Sequence, residues 1–448
     1  MPDQLIRGGM VVTAGGVRRA DIRIAAGKIG AVGPHLASAN SEIDARGMHV
    51  LPAVIDAHVH FNQPGRTAWE GAASGSRALA AGGGALFFDM PLNSTPCTVT
   101  PRAFARKRTA LEAASITDFA LWGGLTPAGL EHMAELADLG AVGFKAFLCD
   151  SGLPEFPRAD DLTLHDGLRE AARLGLPVAV HAESQEITVA LARRCVEQGR
   201  TGIRDFLSSR PLVAELEAIQ RATLLAQETR AALHIVHISS GRGVVLAAEA
   251  KARGVDVSIE TCPHYLSFTE EDVERLGAIA KCAPPLRDRE QHSALWTQVL
   301  NGTVEIVASD HSPAPLKMKT GEFWRAWGGI AGVQSTLAVM LEQGHHLRGL
   351  PLERIASLLA AEPARRFRIP GKGAIEPGRD ADLVLADLAQ SAVLESAALF
   401  QRHHLSPYLG STFHGKIVRT IRRGETIFEN GRIAAQSPGK FIRPGPRH

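Results

Sequence analysis

Two histidines set one residue apart, His58 and His60, close an apolar run in the string Asp56-Ala57-His58-Val59-His60. On an extended strand, positions i and i+2 leave the same face, so both imidazoles can reach one metal ion. Further apolar runs end in residues of related chemistry: Lys145 within Gly143-Phe144-Lys145-Ala146-Phe147, then His181, His237, and Asp310 within Ser309-Asp310-His311. Each has an ordinary reading alone. An H-x-H arises by chance, an interior histidine is commonly satisfied by hydrogen bonds, a lysine snorkels, and Asp-His in a loop serves turn geometry. Their shared placement at the ends of successive runs is what argues for a metal centre.

Lys145 needs a chemical step to join it. An ammonium has three donors and no acceptor, so it cannot ligate a cation. An apolar setting favours the neutral amine. That amine can combine with carbon dioxide to give a carbamate, an anion whose two oxygens can bridge two metals.

The elements that position these residues follow from pattern. Eight strand-like runs occupy the middle of the chain: Met48 to Ile55, Ala85 to Met90, Phe119 to Gly123, Val142 to Leu148, Val178 to His181, Leu233 to His237, Asp256 to Glu260 and Val304 to Ala308. Ala-, Leu- and Glu-rich helical stretches alternate with them, such as Leu162 to Leu174, Glu186 to Gln198 and Leu212 to Thr229. Eight β-then-α units predict an α/β protein with a parallel (β/α)8 TIM barrel, in which active sites sit at the C-terminal ends of the strands. Five of the eight deliver a ligand-type residue to that rim.

Both ends of the chain read differently, as short strands broken by glycine turns. Leu5 to Thr13, Asp21 to Ala25 and Lys28 to Val32 lie at one end, and Asp382 to Ala386, Lys416 to Arg422 and Glu425 to Glu429 at the other. Together they predict one small β domain assembled from both termini. The divisions are 1–50 and 371–448 for that domain and 51–370 for the barrel.

Composition excludes several partners. Lys and Arg number 49 against 47 Asp and Glu, without the basic excess that nucleic-acid or membrane surfaces need. The cationic stretch Arg419 to Arg423 reads as a solvated strand edge. Five widely spaced cysteines, Cys97, Cys149, Cys195, Cys262 and Cys282, contain no C-x-x-C pair and read as buried apolar residues in a reducing compartment. Met1 to Gly9 lacks a signal-peptide core, and no run is long enough to span a membrane. A cytoplasmic protein is expected.

The string from Asp56 to His60, the lysine after the fourth strand, the later histidines and Asp310 resemble the amidohydrolase superfamily, in particular its binuclear cyclic amidases with a carbamylated lysine. The segment Gly373-Ala374-Ile375-Glu376-Pro377-Gly378-Arg379-Asp380-Ala381-Asp382 resembles the re-entry of those enzymes into their β-sandwich domain. The resemblance implies that His58 and His60 bind one metal and His181 and His237 the other, bridged by Lys145 as carbamate. It implies that Asp310 is both a metal ligand and the catalytic proton shuttle. Zinc is the expected ion, with cobalt, manganese and iron as alternatives, and a homotetramer the expected assembly. His311 either orients the site or is an ordinary loop histidine.

Among cyclic amidases, dihydroorotases usually carry an arginine shortly after H-x-H to pair with a substrate carboxylate. Asn62 stands there instead, in Phe61-Asn62-Gln63-Pro64-Gly65. Hydantoinases and dihydropyrimidinases usually carry a tyrosine just beyond the lysine, but the only tyrosines are Tyr265 and Tyr408. The strings Pro64 to Gly71, Phe147 to Gly152, Asp89 to Ser94, Lys281 to Arg287 and Ala326 to Gly332 resemble allantoinases. That resemblance implies hydrolysis of the neutral hydantoin allantoin to allantoate in purine breakdown. The Ala283 backbone and the Gly328 to Gly332 loop, Gly329 included, are the expected ring contacts. Asn93 either reaches the ureido arm or caps the loop after the second strand. Hydantoinase or dihydroorotase activity, and a non-catalytic scaffold that has lost ligands, are the competing readings; all six ligand positions carry competent residue types.

Overall fold

The computed structural model describes residues 3–446, so the outermost residues of the two terminal segments, 1–2 and 447–448, lie outside it. Nine strands from the two ends of the chain form one sheet. Gln4–Thr13, Gly16–Ala25, Lys28–Gly33, Ser41–Asp44 and His49–Pro52 come from the front, and Leu383–Val393, Thr412–Arg422, Glu425–Glu429 and Arg432–Ile433 from the back. The halves join at His49–Pro52, which runs parallel to Gln4–Thr13 and antiparallel to Leu383–Val393, with Leu383 opposite Pro52 and Ala386 opposite His49. Ile6, Val11, Ile22, Ile24, Val50, Leu383, Leu385 and Ile421 fill its core.

The middle of the chain is α/β with parallel strands, as the pattern predicts. Val54–Val59, Gly84–Asp89 and Asp118–Leu121 pair in sequence. Gly123–Gly124, Phe144–Phe147, Val178–His181, Leu233–Ile235, Val257–Thr261 and Ile306–Val307 continue the series. Only Trp122 separates the two sets, and a parallel bridge between Val59 and His311 links the exit of the last strand to the first. Helices fill the intervals. Asp161–Leu174 begins where the Asp160 carboxylate accepts from the Thr163 N–H at 2.9 Å, and ends at Gly175 with φ 60°. Leu164, Leu168 and Ala171 recur at helical spacing on its buried face. Leu212–Thr229 spans the expected range.

Two expectations change. The run Met48 to Ile55 is two strands, not one: Ala53 N–H bonds Asp382 O and Val54 N–H bonds Gly83 O, each at 3.0 Å, so the chain crosses between sheets within one residue. Both sheets bury this stretch, and apolar character alone does not reveal the crossing. Nor is Arg419 to Arg423 a solvated edge. Its strand lies between Leu383–Val393 and Glu425–Glu429, and Arg422 is wholly buried, donating to Glu425, Ser437 and the Ile116 carbonyl. Arg423 pairs with buried Asp118, which also receives Lys372 Nζ at 2.9 Å.

The C-terminal tail returns to the parallel strands. Phe119 N–H bonds Lys440 O at 2.9 Å and Ile442 N–H bonds Phe119 O at 2.7 Å. Gly439 permits this approach, because a Cβ there would lie 1.8 Å from the Thr117 carbonyl oxygen. The five cysteines are free and buried. Among the described residues no helix is long and apolar enough to cross a membrane.

Candidate active site and metal centre

The C-terminal ends of the parallel strands open on a cavity of about 430 Å³ lined by His58, His60, His181, His237 and Asp310. His58 Nε2 and His60 Nε2 lie 3.2 and 3.4 Å from Asp310 Oδ1. His181 Nδ1 lies 3.0 Å from His237 Nε2, and the His58 and His237 rings are 5.5 Å apart. Lys145, on the strand beside His181, is fully buried and its Nζ has no hydrogen-bond partner. All six residues singled out as ligands thus lie at one strand-end cluster.

Backbone and electrostatics fit a built site. Asn93, His237 and Asp310 take left-handed φ values of 70°, 42° and 45°, which cost energy in non-glycine residues and concentrate at functional sites. Burial lowers the pKa of His58, His181 and His237 and so favours neutral imidazole, the form that ligates metals. Burial likewise brings Lys145 down to about 8. Burial would raise Asp310, but the surrounding histidines outweigh it and hold the carboxyl far below the usual range. Neutral imidazoles, a carboxylate and an unpartnered buried amine form a donor set for divalent cations. The orphaned Nδ1 atoms of His60 and His237 sit in the same cluster.

Three acidic residues hold the candidate ligands, and the sequence alone assigned them no role. Glu260 is wholly buried; it accepts from His58 Nδ1 at 2.9 Å, His234 Nε2 at 3.0 Å and His237 N–H at 3.2 Å. Glu183 accepts from His181 Nε2 at 2.8 Å and pairs with Arg210. Asp56 Oδ1 accepts from the N–H groups of His58 and Ser309, tying the first strand to the last; burial raises this carboxyl to about 7. Only Asp56 and Glu183 carried a local signal, each two residues from a ligand. His311 is buried, and its Nδ1 accepts from the N–H groups of Gly332 and Val333, fixing the loop behind the cavity.

Of the expected ring contacts, Asn93 and Ala283 line the cavity. Asn93 Nδ2 donates to Ser312 Oγ at 3.3 Å. Gly328 lines it too, whereas Gly329 lies against Ser312, where a Cβ would be 2.4 Å from the Ser312 carbonyl oxygen. The cationic residues of the lining are largely spoken for. Arg210 pairs with Glu183, Arg325 with Glu322, and Lys281 Nζ donates to the carbonyls of Phe323, Trp324 and Ala326.

The Amidohydrolase family model matches residues 49–427, most of the chain. The chain belongs to the amidohydrolase family. Membership makes it a hydrolase and agrees with the resemblance carried by the Asp56-to-His60 string. It is 63% identical over 445 residues to the allantoinase of Solibacter usitatus, covering 99% of this chain and 97% of that one. With the allantoinase of Rubrobacter xylanophilus it shares 58% over 444 residues, covering 99% and 98%. Among solved structures, the L-hydantoinase (dihydropyrimidinase) of Arthrobacter aurescens superposes with a TM-score of 0.96 at 33% identity, covering 99% of this amidohydrolase and 100% of that chain.

Proposed function

We propose that this amidohydrolase opens the hydantoin ring of allantoin to give allantoate, as a step in purine breakdown. The observation that carries the reading is the cluster of four histidines and Asp310 lining a cavity whose cations are already paired, with the unpartnered buried amine of Lys145 on the strand beside His181. Identity of 63% and 58% to two allantoinases over nearly the whole chain supports the choice of substrate. A neutral substrate suits such a lining, because a carboxylate-bearing ring would bury a charge with no free partner. Asn62 carries no charge, and Arg66, the nearby cation, pairs with Glu155 and donates to the Asn93 carbonyl.

His58, His60 and Asp310 would hold one divalent ion and His181 and His237 a second, with Lys145 as its carbamate between them. Zinc is the reading, with cobalt, manganese and iron as alternatives. Such a pair supplies Lewis acidity and a lowered pKa for water. The amine of Lys145 attacks carbon dioxide and loses a proton, leaving the anion; its burial and lack of a partner favour the neutral nucleophile. Asp310 takes one proton from the attacking water as its oxygen adds to the ring carbonyl carbon. It returns that proton to the leaving ring nitrogen as the C–N bond breaks. Glu260 and Glu183 hold the imidazoles in place throughout. Asn93, Ala283 and the Gly328–Gly329 turn orient the ring and its ureido arm.

The wider architecture belongs to the same proposal: a closed (β/α)8 barrel over 51–370 with a β-sandwich from 1–50 and 371–448. The continuous strand pairing and the Val59–His311 bridge support closure. Five free cysteines support a cytoplasmic setting, and a homotetramer is the proposed assembly, checked by light scattering. The deciding experiment measures hydrolysis of allantoin beside hydantoin, dihydrouracil and dihydroorotate, with metal content determined. Preference for allantoin supports the reading. Preference for hydantoin or dihydrouracil keeps the metal centre and overturns the substrate, and no activity with two metals bound overturns catalysis. Mass spectrometry showing a bare amine at Lys145 in the metal-loaded protein would overturn the carbamate.

A further inference from the structure

Away from the cavity, the last helical layer meets the terminal sheet at a second group of ligand-type side chains. Thr336–Val339 continues as a π-helix over Met340–His346, a rare geometry that recurs at functional positions. Its wide turns bring Glu342 and His346 onto one side. Opposite runs Thr412–Arg422, carrying His414. The approach is made close by Gly415, with φ 97°, where a Cβ would lie 2.8 Å from Leu341 Cδ1.

The three side chains are already engaged with one another. Glu342 is buried, and its Oε2 accepts from His414 N–H at 2.7 Å and lies 2.8 Å from His414 Nδ1. The His346 ring stacks on His414 with centroids 4.0 Å apart and planes at 21°. One ligand atom from each of the three lies within 4.8 Å of the others.

We propose that Glu342, His346 and His414 form a separate binding site for a divalent transition metal, zinc in the first instance. Two imidazoles and a carboxylate are a donor set that zinc accepts, with water completing four coordination. Bonds of about 2.1 Å place tetrahedral donors roughly 3.4 Å apart. The separation of 4.8 Å therefore closes by rotation of side chains, and exposed His346 is free to turn. The ion would replace the Glu342–His414 Nδ1 contact, while the His414 N–H bond to Glu342 Oε2 keeps the carboxylate beside that ring nitrogen. The ion would clip the helical layer to the C-terminal strand. None of these residues lines the catalytic cavity, so the site is independent of the reaction proposed above.

The test starts from full-length enzyme carrying its catalytic metal complement, titrated with zinc chloride by calorimetry and followed by elemental analysis after desalting. Wild type is expected to bind one more zinc per chain than His346→Ala or His414→Ala, with allantoin turnover the same in all three. Zinc is also expected to raise the melting temperature of wild type and leave that of His346→Ala unmoved, since an ion bound to the native state stabilises it. His346 is exposed, so its replacement leaves the fold intact, and circular dichroism confirms this. Equal zinc uptake by wild type and both variants overturns the proposal, as does a melting shift that survives in His346→Ala.

Discussion

Replacing Glu260 by Gln removes one charge and one acceptor from a group that serves three donors. The carboxylate now takes His58 Nδ1 and His237 N–H on Oε1 and His234 Nε2 on Oε2. An amide has one oxygen, so whichever way it turns, one imidazole faces an NH2 group and must invert its tautomer. Hydrogen bonds to a charged group contribute about 1.5–3 kcal/mol and neutral ones about 0.5–1.5. The two imidazole contacts therefore weaken by about 1 kcal/mol each, and stability falls by about 2 kcal/mol. Of the two imidazoles only His58 is a proposed ligand, and losing such an orienting partner weakens metal binding about 10- to 100-fold. That corresponds to about 1.4–2.7 kcal/mol. The assay is metal release to a competing chelator, paired with urea unfolding of the apo-protein. Glu249→Gln, on an exposed helix position, is the control. Affinity within twofold of wild type, with unchanged stability, would refute the orienting role of Glu260.

Lys145→Ala removes the proposed bridging group, and allantoin hydrolysis is expected to fall to background while circular dichroism stays native. Lys372 lies 2.9, 3.0 and 2.6 Å from carboxylate oxygens of Asp118, Asp380 and Asp382; Lys372→Met leaves buried Asp382 without its cation, though Arg423 and Lys28 still face Asp118 and Asp380, and should cost about 3–5 kcal/mol in urea unfolding. Burial holds His264 at about 4, below an ordinary histidine at 6.5. The unfolded chain then binds the extra proton between those values, so His264 contributes stability above pH 6.5 that is lost as pH falls towards 4. Between pH 7 and 4.5 the loss is about 2 kcal/mol, absent in His264→Phe; equal pH slopes would sink the idea. Leu168→Ala opens a cavity in the buried face of Asp161–Leu174 and should cost about 2–5 kcal/mol by the same unfolding measurement.

The candidate ligands were legible because each ends an apolar run, and a parallel α/β topology converts strand ends into neighbours. His58, His60, Lys145, His181, His237 and Asp310 could be read one strand at a time. Glu260 could not, since its value depends on His58, 202 positions away, and on the turn at His237. Glu183 acquires its meaning from Arg210 and His181 together. Arg422 looked solvated because composition does not say that a strand has neighbours on both sides. The crossing at Ala53 was hidden for a related reason: both sheets demand apolar residues there.

The sheet shared by both termini sets an order of events on the ribosome. Strand His49–Pro52 finds one neighbour in Gln4–Thr13 early in synthesis, while its other edge stays open until Leu383–Val393 has emerged. An open strand edge invites pairing with another nascent chain. The strand that begins just beyond it, Val54–Val59, carries His58 and leads directly into His60. The strand just ahead of the first proposed ligands is thus completed late, while Val54–Val59 itself can already pair with Gly84–Asp89. A chain cut short after the helices would possess every proposed metal-binding side chain and still leave His49–Pro52, the strand just before the first of them, open along one edge.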